Sequence, residues 1–379
     1  MKAKSIKGKT PSEIQEALDK SISDGFKPTL AIILLSKKED AEPLRQIFGE
    51  KGIAIFGVTA PQNFTEQGIT EEHIAVMLLD IKPDNFKIVL NEYEGSSAYE
   101  AGYKTGLAGK NAFKNPGFII SPLDWIVSYD GLISGLTDAA GQHIMIAGGG
   151  TGDPADFSGV IFTREVLSTG GIIALILDQD KVAISGLAVS GWKPVGTTKK
   201  ITKCEGSWAF TIDHEPAMHV IQRFLGNDIV RANSEANGFI PTDLGYPLQF
   251  ERASGNAIMK PALFFNPADQ SVMIAGGVNE GDQFRFSLPP DFDVIDKVIE
   301  STRISKEKEM PDADVLLVFS CVGRLGTFGP LISTEIEGLA STWGKPMIGY
   351  FSLGEFGKLD EGRCEFQGTT VSWVALKEK

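Results

Sequence analysis

The sequence predicts an α/β fold that consists of repeated strand-helix-strand units, with sheets covered by helices, plus a β-rich middle segment. One observation is a set of continuously apolar runs, such as LAIILLS at 30–36, each followed by an amphipathic helical segment. A second observation is that the order strand, helix, strand ending in glycine occurs three times. Strands that are apolar without alternation are typical of sheets covered on both faces, and a helical crossover joins parallel strands.

The segment 10–25 is predicted to be a helix. Thr10 is the candidate N-cap, Pro11 takes the first helical position and Glu13 is the capping partner. The apolar face of this helix is formed by residues four apart, namely Ile14, Leu18 and Ile22.

Three copies of the strand-helix-strand unit follow. The predicted strands are 30–36, 53–57 and 74–79 in the first copy, 118–121, 144–148 and 172–177 in the second, and 315–320, 347–349 and 370–376 in the third. The first strand ends in serine in every copy, at Ser36, Ser121 and Ser320. We expect these copies to be one internal repeat. The alternative is the ordinary alternation of strands and helices that any α/β protein shows.

The segment between the second and third copies is predicted to be rich in β-structure. Residues 181–190 alternate with period two, and the turn-rich sequence SGWKPVGTT occupies 190–198. The other predicted elements are a strand, a turn and a helix within 205–226, strands near 247–252, 258–265 and 271–275, and a helix near 291–304. The polar stretch after residue 226 indicates two domains, 1–228 and 229–379, with the boundary within 226–245.

Composition excludes several classes of function. The chain has 379 residues, with 36 Lys and Arg against 49 Asp and Glu, so its net charge is −13. This balance opposes nucleic acid as a partner, since such proteins need a basic surface. No apolar run approaches the roughly 20 residues of a membrane span, and no signal-peptide core is present at the start. The three cysteines have no disulfide or zinc spacing. We therefore expect a cytoplasmic protein without a nucleic-acid or membrane partner.

A glycine turn after the second copy's second strand is a candidate ligand site. Gly148, Gly149, Gly150 and Thr151 lie at the carboxyl end of a strand, where open α/β sheets bind ligands. Free backbone N–H groups in such a turn can hold a carboxylate or a phosphate. The turn matches neither the dinucleotide fingerprint nor the P-loop. A purely geometric role for the glycines is the alternative.

The end of the third copy's first strand supplies Ser320, Cys321 and Arg324. Cys321 is a candidate thiolate nucleophile, and Arg324 can clamp a ligand carboxylate with its two-pronged guanidinium. The alternatives are a buried structural cysteine and an arginine paired with a neighbouring acid.

The sequence GYFSLGE at 349–355 supplies Ser352 and Glu355. It resembles a nucleophile elbow with one residue too many, and no helix is predicted after it, which disfavours a serine hydrolase. Glu355 is instead a candidate acceptor for a ligand amine. Trp192 lies in an aromatic-basic turn that either lines a pocket or closes a hairpin.

The histidines do not indicate a metal site. His214 and His219 are five residues apart, with Pro216 between them, whereas a spacing of four places two imidazoles on one helical face. No metal-ligand set is predicted.

These strings resemble the FIST family, a sensory module with N-terminal and C-terminal parts. Similarity to the N-terminal part covers 53–79, 148–177 and SGWKPVG with the helix after Pro216. Similarity to the C-terminal part covers 247–252 and 271–287 and is most specific in FSCVGR at 319–324, GYFSLGEF at 349–356 and FQGTTV at 366–371. The resemblance extends over nearly the whole chain.

One segment departs from the family pattern. Relatives carry a turn resembling GCSTAGE after the first-copy glycine, whereas 57–63 reads GVTAPQN. The acid and the small polar groups of that turn are missing, so its contacts with a ligand are lost or the ligand is different.

The resemblance implies a non-catalytic sensory module that binds a small metabolite such as an amino acid, without a cofactor. Arg324 would hold the carboxylate and Glu355 the amine of a zwitterion. No output segment is recognised, so we expect signalling through a separate protein or through a change in a homo-oligomer. Two alternatives stay open. One is a hydrolase or acyl-transfer enzyme that uses Cys321 or Ser352. The other is a haem sensor, since some relatives are associated with haem, with His143, His214, His219 or a cysteine as axial ligand.

Overall fold

The fold is of mixed α/β type, as the sequence predicts. A computed structural model describes residues 1–70, 73–93, 97–123, 129–154, 156–226, 240–242, 244–252, 257–288, 291, 293–358 and 363–379. The α-helices are α1 Pro11–Ile22, α2 Ala41–Glu50, α3 Ala98–Ala112, α4 Tyr129–Ala140, α5 Ala217–Leu225, α6 Asp293–Glu309, α7 Val322–Phe328 and α8 Ile332–Trp343. Short 3₁₀ turns occupy Lys38–Asp40, Pro83–Asn85 and Gly329–Leu331.

The strands of the first half of the chain are β1 Ala3–Gly8, β2 Leu30–Leu35, β3 Ala54–Thr59, β4 Asn63–Thr65, β5 Gly68–Ile69, β6 Ile74–Leu79, β7 Phe86–Asn91, β8 Pro116–Leu123, β9 Ile146–Gly149, β10 Ile161–Phe162, β11 Leu167–Ser168, β12 Gly171–Asp178 and β13 Val182–Val189. Those of the second half are β14 Pro194–Glu205, β15 Trp208–Ile212, β16 Glu215–Pro216, β17 Ile240–Pro241, β18 Leu248–Phe250, β19 Ile258–Lys260, β20 Ala262–Asn266, β21 Ser271–Ile274, β22 Gln283–Ser287, β23 Val315–Cys321, β24 Met347–Ser352, β25 Glu355–Lys358, β26 Cys364–Gln367 and β27 Val371–Glu378.

Three six-stranded sheets have corresponding strand orders. The orders are β1-β6-β2-β3-β10-β11 in the first sheet, β7-β12-β8-β9-β25-β26 in the second and β13-β27-β23-β24-β4-β5 in the third. Each sheet contains a parallel pair joined by a helical crossover, and the next strand of the same copy lies antiparallel beside the first strand. The three strands predicted for each copy are therefore neighbours in one sheet.

A hairpin from another copy completes each of these sheets. The hairpin β4-β5 from the first copy extends the third sheet, β10-β11 extends the first sheet, and β25-β26 extends the second. The second and third sheets therefore contain strands from both sides of the boundary predicted within 226–245. Residues 227–239 and 243 of that boundary lie outside the described residues.

The three sheets face one another across a shared apolar core. Side chains such as Ile32, Ile119 and Leu317 pack together there. The outer faces carry helices: α1 and α2 on the first sheet, α3 and α4 on the second, and α6 and α8 on the third. Burial on both faces accounts for the uninterrupted apolar runs in these strands.

The β-rich middle of the chain forms a fourth sheet. Its strand order is β17-β20-β21-β15-β14-β22-β18-β19, with β16 paired to β15, and α5 packs on one face. Much of the segment 190–198, expected to be a turn, belongs instead to β14, which begins at Pro194. Strand β22 pairs with Pro194 and Val195 of this segment, and the register between β14 and β22 shifts between Val195 and Lys199, where Gly196 has φ +76°.

Helix α1 begins as the sequence predicts. The Thr10 hydroxyl accepts a hydrogen bond from the Glu13 N–H at 3.3 Å, and Pro11 is the first helical residue. The Glu13 carboxylate accepts from the Lys9 N–H at 2.7 Å rather than from the N-cap residue itself. Ile14 and Leu18 are buried on the predicted face.

Helix α3 has no counterpart among the predicted elements, because its glycines obscure the helical pattern. They lie against α4 and allow the two backbones to approach closely. A Cβ atom at Gly102 would lie 2.0 Å from the Leu132 carbonyl oxygen, and one at Gly135 in α4 would lie 1.9 Å from the Tyr99 carbonyl oxygen. The α3–α4 pair therefore requires glycine at these contacts.

We expect Gly135→Ala to lower the free energy of unfolding by about 1–3 kcal/mol, because its methyl group would force the two helix backbones apart. Urea denaturation monitored by circular dichroism measures this change. Gly326→Ala in α7 is the matched control, since a Cβ there meets nothing within 4 Å and α7 gains helix propensity. Equal effects of the two substitutions would contradict the close α3–α4 packing.

Candidate functional site

A cavity of about 180 Å³ lies where β9, β23 and β24 end, against the fourth sheet. Its wall is mostly apolar, with aromatic rings contributed by Tyr129, Phe157, Phe264 and Phe366. Cys321 is the only one of the predicted site residues among the described residues that line it.

Several of the predicted site residues meet beside this cavity although they are far apart in sequence. Strand β9 pairs with β25, so that Gly149 lies opposite Glu355. A Cβ at Gly149 would be 2.7 Å from the Ser352 Cβ, so glycine is needed for the two loops to pack. The second and third copies thus share one junction at their strand ends.

Glu355 is the centre of a buried polar cluster at this junction. One carboxyl oxygen accepts from the Ser352 hydroxyl at 2.6 Å, and the other accepts from the Thr370 hydroxyl at 2.8 Å and the Thr370 N–H at 3.2 Å. The Cys321 thiol also contacts this carboxyl group. Burial raises the pKa of Glu355 to about 8, against the partial compensation of these hydrogen bonds. Glu355 therefore keeps its proton to a higher pH than an exposed glutamate does.

The two candidate nucleophiles, Cys321 and Ser352, both belong to this cluster. Burial, together with the neighbouring Glu355 carboxyl group, raises the pKa of the Cys321 thiol well above its ordinary value. The Ser352 hydroxyl is fully buried and lies 2.6 Å from a Glu355 carboxyl oxygen and 3.2 Å from the Ser320 carbonyl oxygen, and its single proton is donated to one of these two oxygens at a time. An acid is thus near both nucleophiles, but the thiolate form of Cys321 is disfavoured.

The backbone N–H groups of the glycine turn are not free, contrary to the expectation of an anion cradle. Those of Gly150, Thr151, Gly152 and Asp153 donate to carbonyl oxygens of Gly354, Pro122, Thr59 and Ser158, respectively. The turn is bound between neighbouring strands, and its donors are used by the fold. Ligand contact by Gly148, Gly149, Gly150 and Thr151 stays a prediction.

Arg324 forms a fully buried ion pair with Glu335 of α8. Its Nε donates to one carboxylate oxygen at 3.0 Å, and Nη2 donates to the other. Its Nη1 donates to the carbonyl oxygens of Ser190 at 2.8 Å and Thr369 at 3.3 Å. This is the pairing with a neighbouring acid that the sequence offered as the alternative to a ligand clamp. The guanidinium is directed at protein acceptors and does not line the cavity.

Trp192 supports the same ion pair and also lies away from the cavity wall. The Arg324 guanidinium lies 5.1 Å from the ring centroid of Trp192 and equally far from that of Phe328. The Trp192 indole N–H donates to the Gly245 carbonyl oxygen at 2.9 Å. Ser320 is also buried, and its hydroxyl has no hydrogen-bond partner among the described residues.

The cavity wall is where sequence reasoning missed most residues. Tyr129, Phe157, Thr242, Phe264 and Phe366 come from five separate segments, and no motif or spacing links them. An ion pair between the buried Lys260 and the partly exposed Asp130, at 2.5 Å, was also not predicted. Because Tyr129 and Pro261 line the cavity, this pair ties α4 to the fourth sheet directly beside it.

The described lining residues do not fit a haem group. They include Cys321 but no histidine, and the cavity is close in size to one that holds a single benzene ring, about 150 Å³. Within the described ranges, no group of three or more His, Cys, Asp or Glu side chains is arranged to hold a metal ion.

The fold and cavity define a two-part, mixed α/β protein whose halves share sheets. Residues 29–215 match the FIST N domain and residues 217–358 match the FIST C domain, so the chain belongs to the FIST family. FIST domains are generally sensory domains of signalling proteins. Comparison with curated proteins finds no match. In the described part of the chain, no helix has the length and apolar character needed to cross a membrane.

We expect Arg324→Met to lower the free energy of unfolding by roughly 3–5 kcal/mol, because it leaves the Glu335 carboxylate buried without its partner. Chemical denaturation measures this loss. The double variant Arg324→Met/Glu335→Leu should recover much of it, since no unpaired charge is left. A single variant of unchanged stability would contradict a structural role for Arg324.

The contribution of Glu355 to stability should fall as the pH rises from about 5 to 8, because the folded state keeps the Glu355 proton with a pKa of about 8 while the unfolded chain releases it near the ordinary glutamate pKa of 4.5. The contribution is fully present below the unfolded pKa and is lost as the pH passes the folded pKa. Thermal melting at a series of pH values should show a shallower decline for Glu355→Gln. The exposed control Glu16→Gln should keep the wild-type profile. Identical profiles for Glu355→Gln and wild type would contradict the assignment.

Proposed function

We propose that the chain is a non-catalytic sensory module that binds a small metabolite with an apolar body in the cavity at the junction of its two FIST parts. The observation that carries the proposal is the composition of the cavity wall. Tyr129 and Phe157 come from the FIST N region, whereas Phe264 and Cys321 come from the FIST C region. A ligand that touches both parts can alter how they are held together.

The dimensions and chemistry of the cavity support a compact ligand. A volume of about 180 Å³ is below the roughly 300–1,000 Å³ of sites for drug-sized molecules. The aromatic side chains provide apolar contact area, and the Thr242 hydroxyl is already used in a bond to the Ala262 carbonyl oxygen. An aromatic ring or a short branched aliphatic group matches this surface best.

Among amino acids, this proposal favours those with an apolar side chain. A carboxylate or an ammonium group is costly to bury in an apolar cavity without a charged partner. Arg324 is paired with Glu335, and Glu355 does not line the cavity. The charged ends of an amino acid would therefore lie at the cavity mouth, with the side chain inside.

The cluster around Glu355 supports binding rather than catalysis at this site, because burial disfavours the thiolate form of the neighbouring Cys321. Hydrogen bonds from Ser352 and Thr370 fix the position of Glu355 under the cavity. In this proposal the cluster has a structural role: it supports the cavity from below and does not react with the ligand.

A thermal-shift screen with apolar and charged amino acids, their keto acids and simple aromatic compounds tests the proposal. A ligand that binds the folded state raises the apparent melting temperature by mass action. We expect apolar members to give a shift, and Leu263→Trp to abolish it because the larger ring fills the cavity. Leu288→Trp, a substitution at an exposed leucine that does not line the cavity, is the matched control. A shift confined to charged compounds, or one that persists in Leu263→Trp, would contradict the proposed site.

A further inference from the structure

We propose that helix α3 is a self-complementary interface through which two copies of this chain associate in antiparallel fashion. The exposed line that carries the proposal is formed by Glu100, Tyr103, Leu107 and Lys110 and is called the α3 stripe below. These residues are all exposed, and Tyr103 and Leu107 retain 42% and 44% of their accessible surface. The surface lies on the second sheet's helical layer, apart from the cavity.

The α3 stripe is exposed because the opposite side of the helix, which packs against α4 and the second sheet, consists of small residues. Gly102, Gly106 and Gly109 face α4 and the second sheet, where a Cβ would clash with neighbouring atoms at 2.0–2.5 Å. Ala101 and Thr105 are buried on that side as well. The bulky side chains of α3 are thereby placed on the outer face. Tyr99, 41% exposed, stacks beside Tyr103 and extends the apolar area.

The spacing of the α3 stripe is that of a helix-packing seam. Its residues occur at positions i, i+3, i+7 and i+10, the interval at which side chains of one helix pack against those of a neighbouring helix. In soluble monomers, exposed apolar residues are usually scattered singly, so an aligned pair on one helix is notable.

The charges of Glu100 and Lys110 determine the orientation of the two helices and favour a second copy of this chain as the partner. When two α3 helices pack antiparallel about a twofold axis near Thr105, Glu100 of one copy faces Lys110 of the other, at both ends of the contact. Tyr103 faces Leu107 at the centre, also twice. A parallel arrangement would instead place Glu100 against Glu100 and Lys110 against Lys110. The α3 stripe therefore complements itself only in the antiparallel arrangement, which is the property of an isologous twofold interface.

The expected dimer is weak. A helix pair of this length buries less than the roughly 1,200–2,000 Å² of a standard stable interface. Association should therefore depend on protein concentration in the micromolar range and weaken with salt, because the end charges are exposed and screened.

Sedimentation velocity over roughly two decades of concentration tests the proposal. We expect the full chain to shift from monomer to dimer, and Tyr103→Glu to stay monomeric. Lys110→Glu should weaken association by roughly tenfold or more, because both end contacts become repulsive. Lys20→Glu makes the same charge change in the last turn of α1 and should associate like wild type.

A mixing experiment separates the interface from any effect on folding. Lys110→Glu and Glu100→Lys should each associate poorly alone, whereas an equimolar mixture should form a heterodimer in which opposite charges face each other again. The Glu100 carboxylate also caps α3 by accepting from the Ser97 N–H at 2.9 Å, so circular dichroism and urea denaturation check that both variants are folded. A monomer at all concentrations, a dimer unaffected by Tyr103→Glu, or a mixture no tighter than its components would overturn the proposal.

Discussion

The shared apolar core between the three six-stranded sheets is the constraint on which the rest of the structure depends. Each sheet gives one face to this core and the other to its helices, so its strands are buried twice. The exchanged hairpins lie at one edge of each sheet, where each hairpin adds two strands to the sheet of another copy. The exchange joins the FIST N and FIST C regions into one body with common sheets.

The candidate site lies at the carboxyl ends of the strands that form this core. Where the parallel strands stop, side chains from two sheets meet, and the fully buried Glu355 forms hydrogen bonds with Ser352 and Thr370. The fourth sheet then covers these strand ends and leaves the cavity between them. Two ion pairs fix the surroundings: the fully buried pair of Arg324 with Glu335, and the partly buried pair of Lys260 with Asp130. An apolar cavity framed by such fixed pairs is suited to a ligand selected by shape.

The predictions from sequence were correct where a local pattern within one element, such as an apolar run or a helix cap, identifies that element. The apolar runs located β2, β6 and β23, and the cap at Thr10 located the start of α1. They were wrong where the partner is distant. The N–H groups of the glycine turn were expected to be free, but strands and loops far along the chain accept their hydrogen bonds. Helix α3 was missed because its glycines lower helix propensity, a cost that packing against α4 offsets.

The sequence by itself determined the α/β class, the order of the three main strands and the crossover helix in each copy, the FIST family, and the grouping of Cys321, Ser352 and Glu355 at strand ends. These properties are local, since periodicity, caps and motifs are set by neighbours along the chain. Only the tertiary structure decided that hairpins are exchanged between copies, that Arg324 pairs with Glu335, and which aromatic side chains line the cavity. The hairpin exchange and the cavity wall depend on contacts between segments far apart in sequence. Arg324 and Glu335 are only 11 residues apart, but their pairing depends on burial and on distant acceptors such as the Ser190 carbonyl oxygen, 134 residues from Arg324. Such contacts leave no periodic trace in the sequence, because many side-chain combinations would satisfy the same packing and electrostatics.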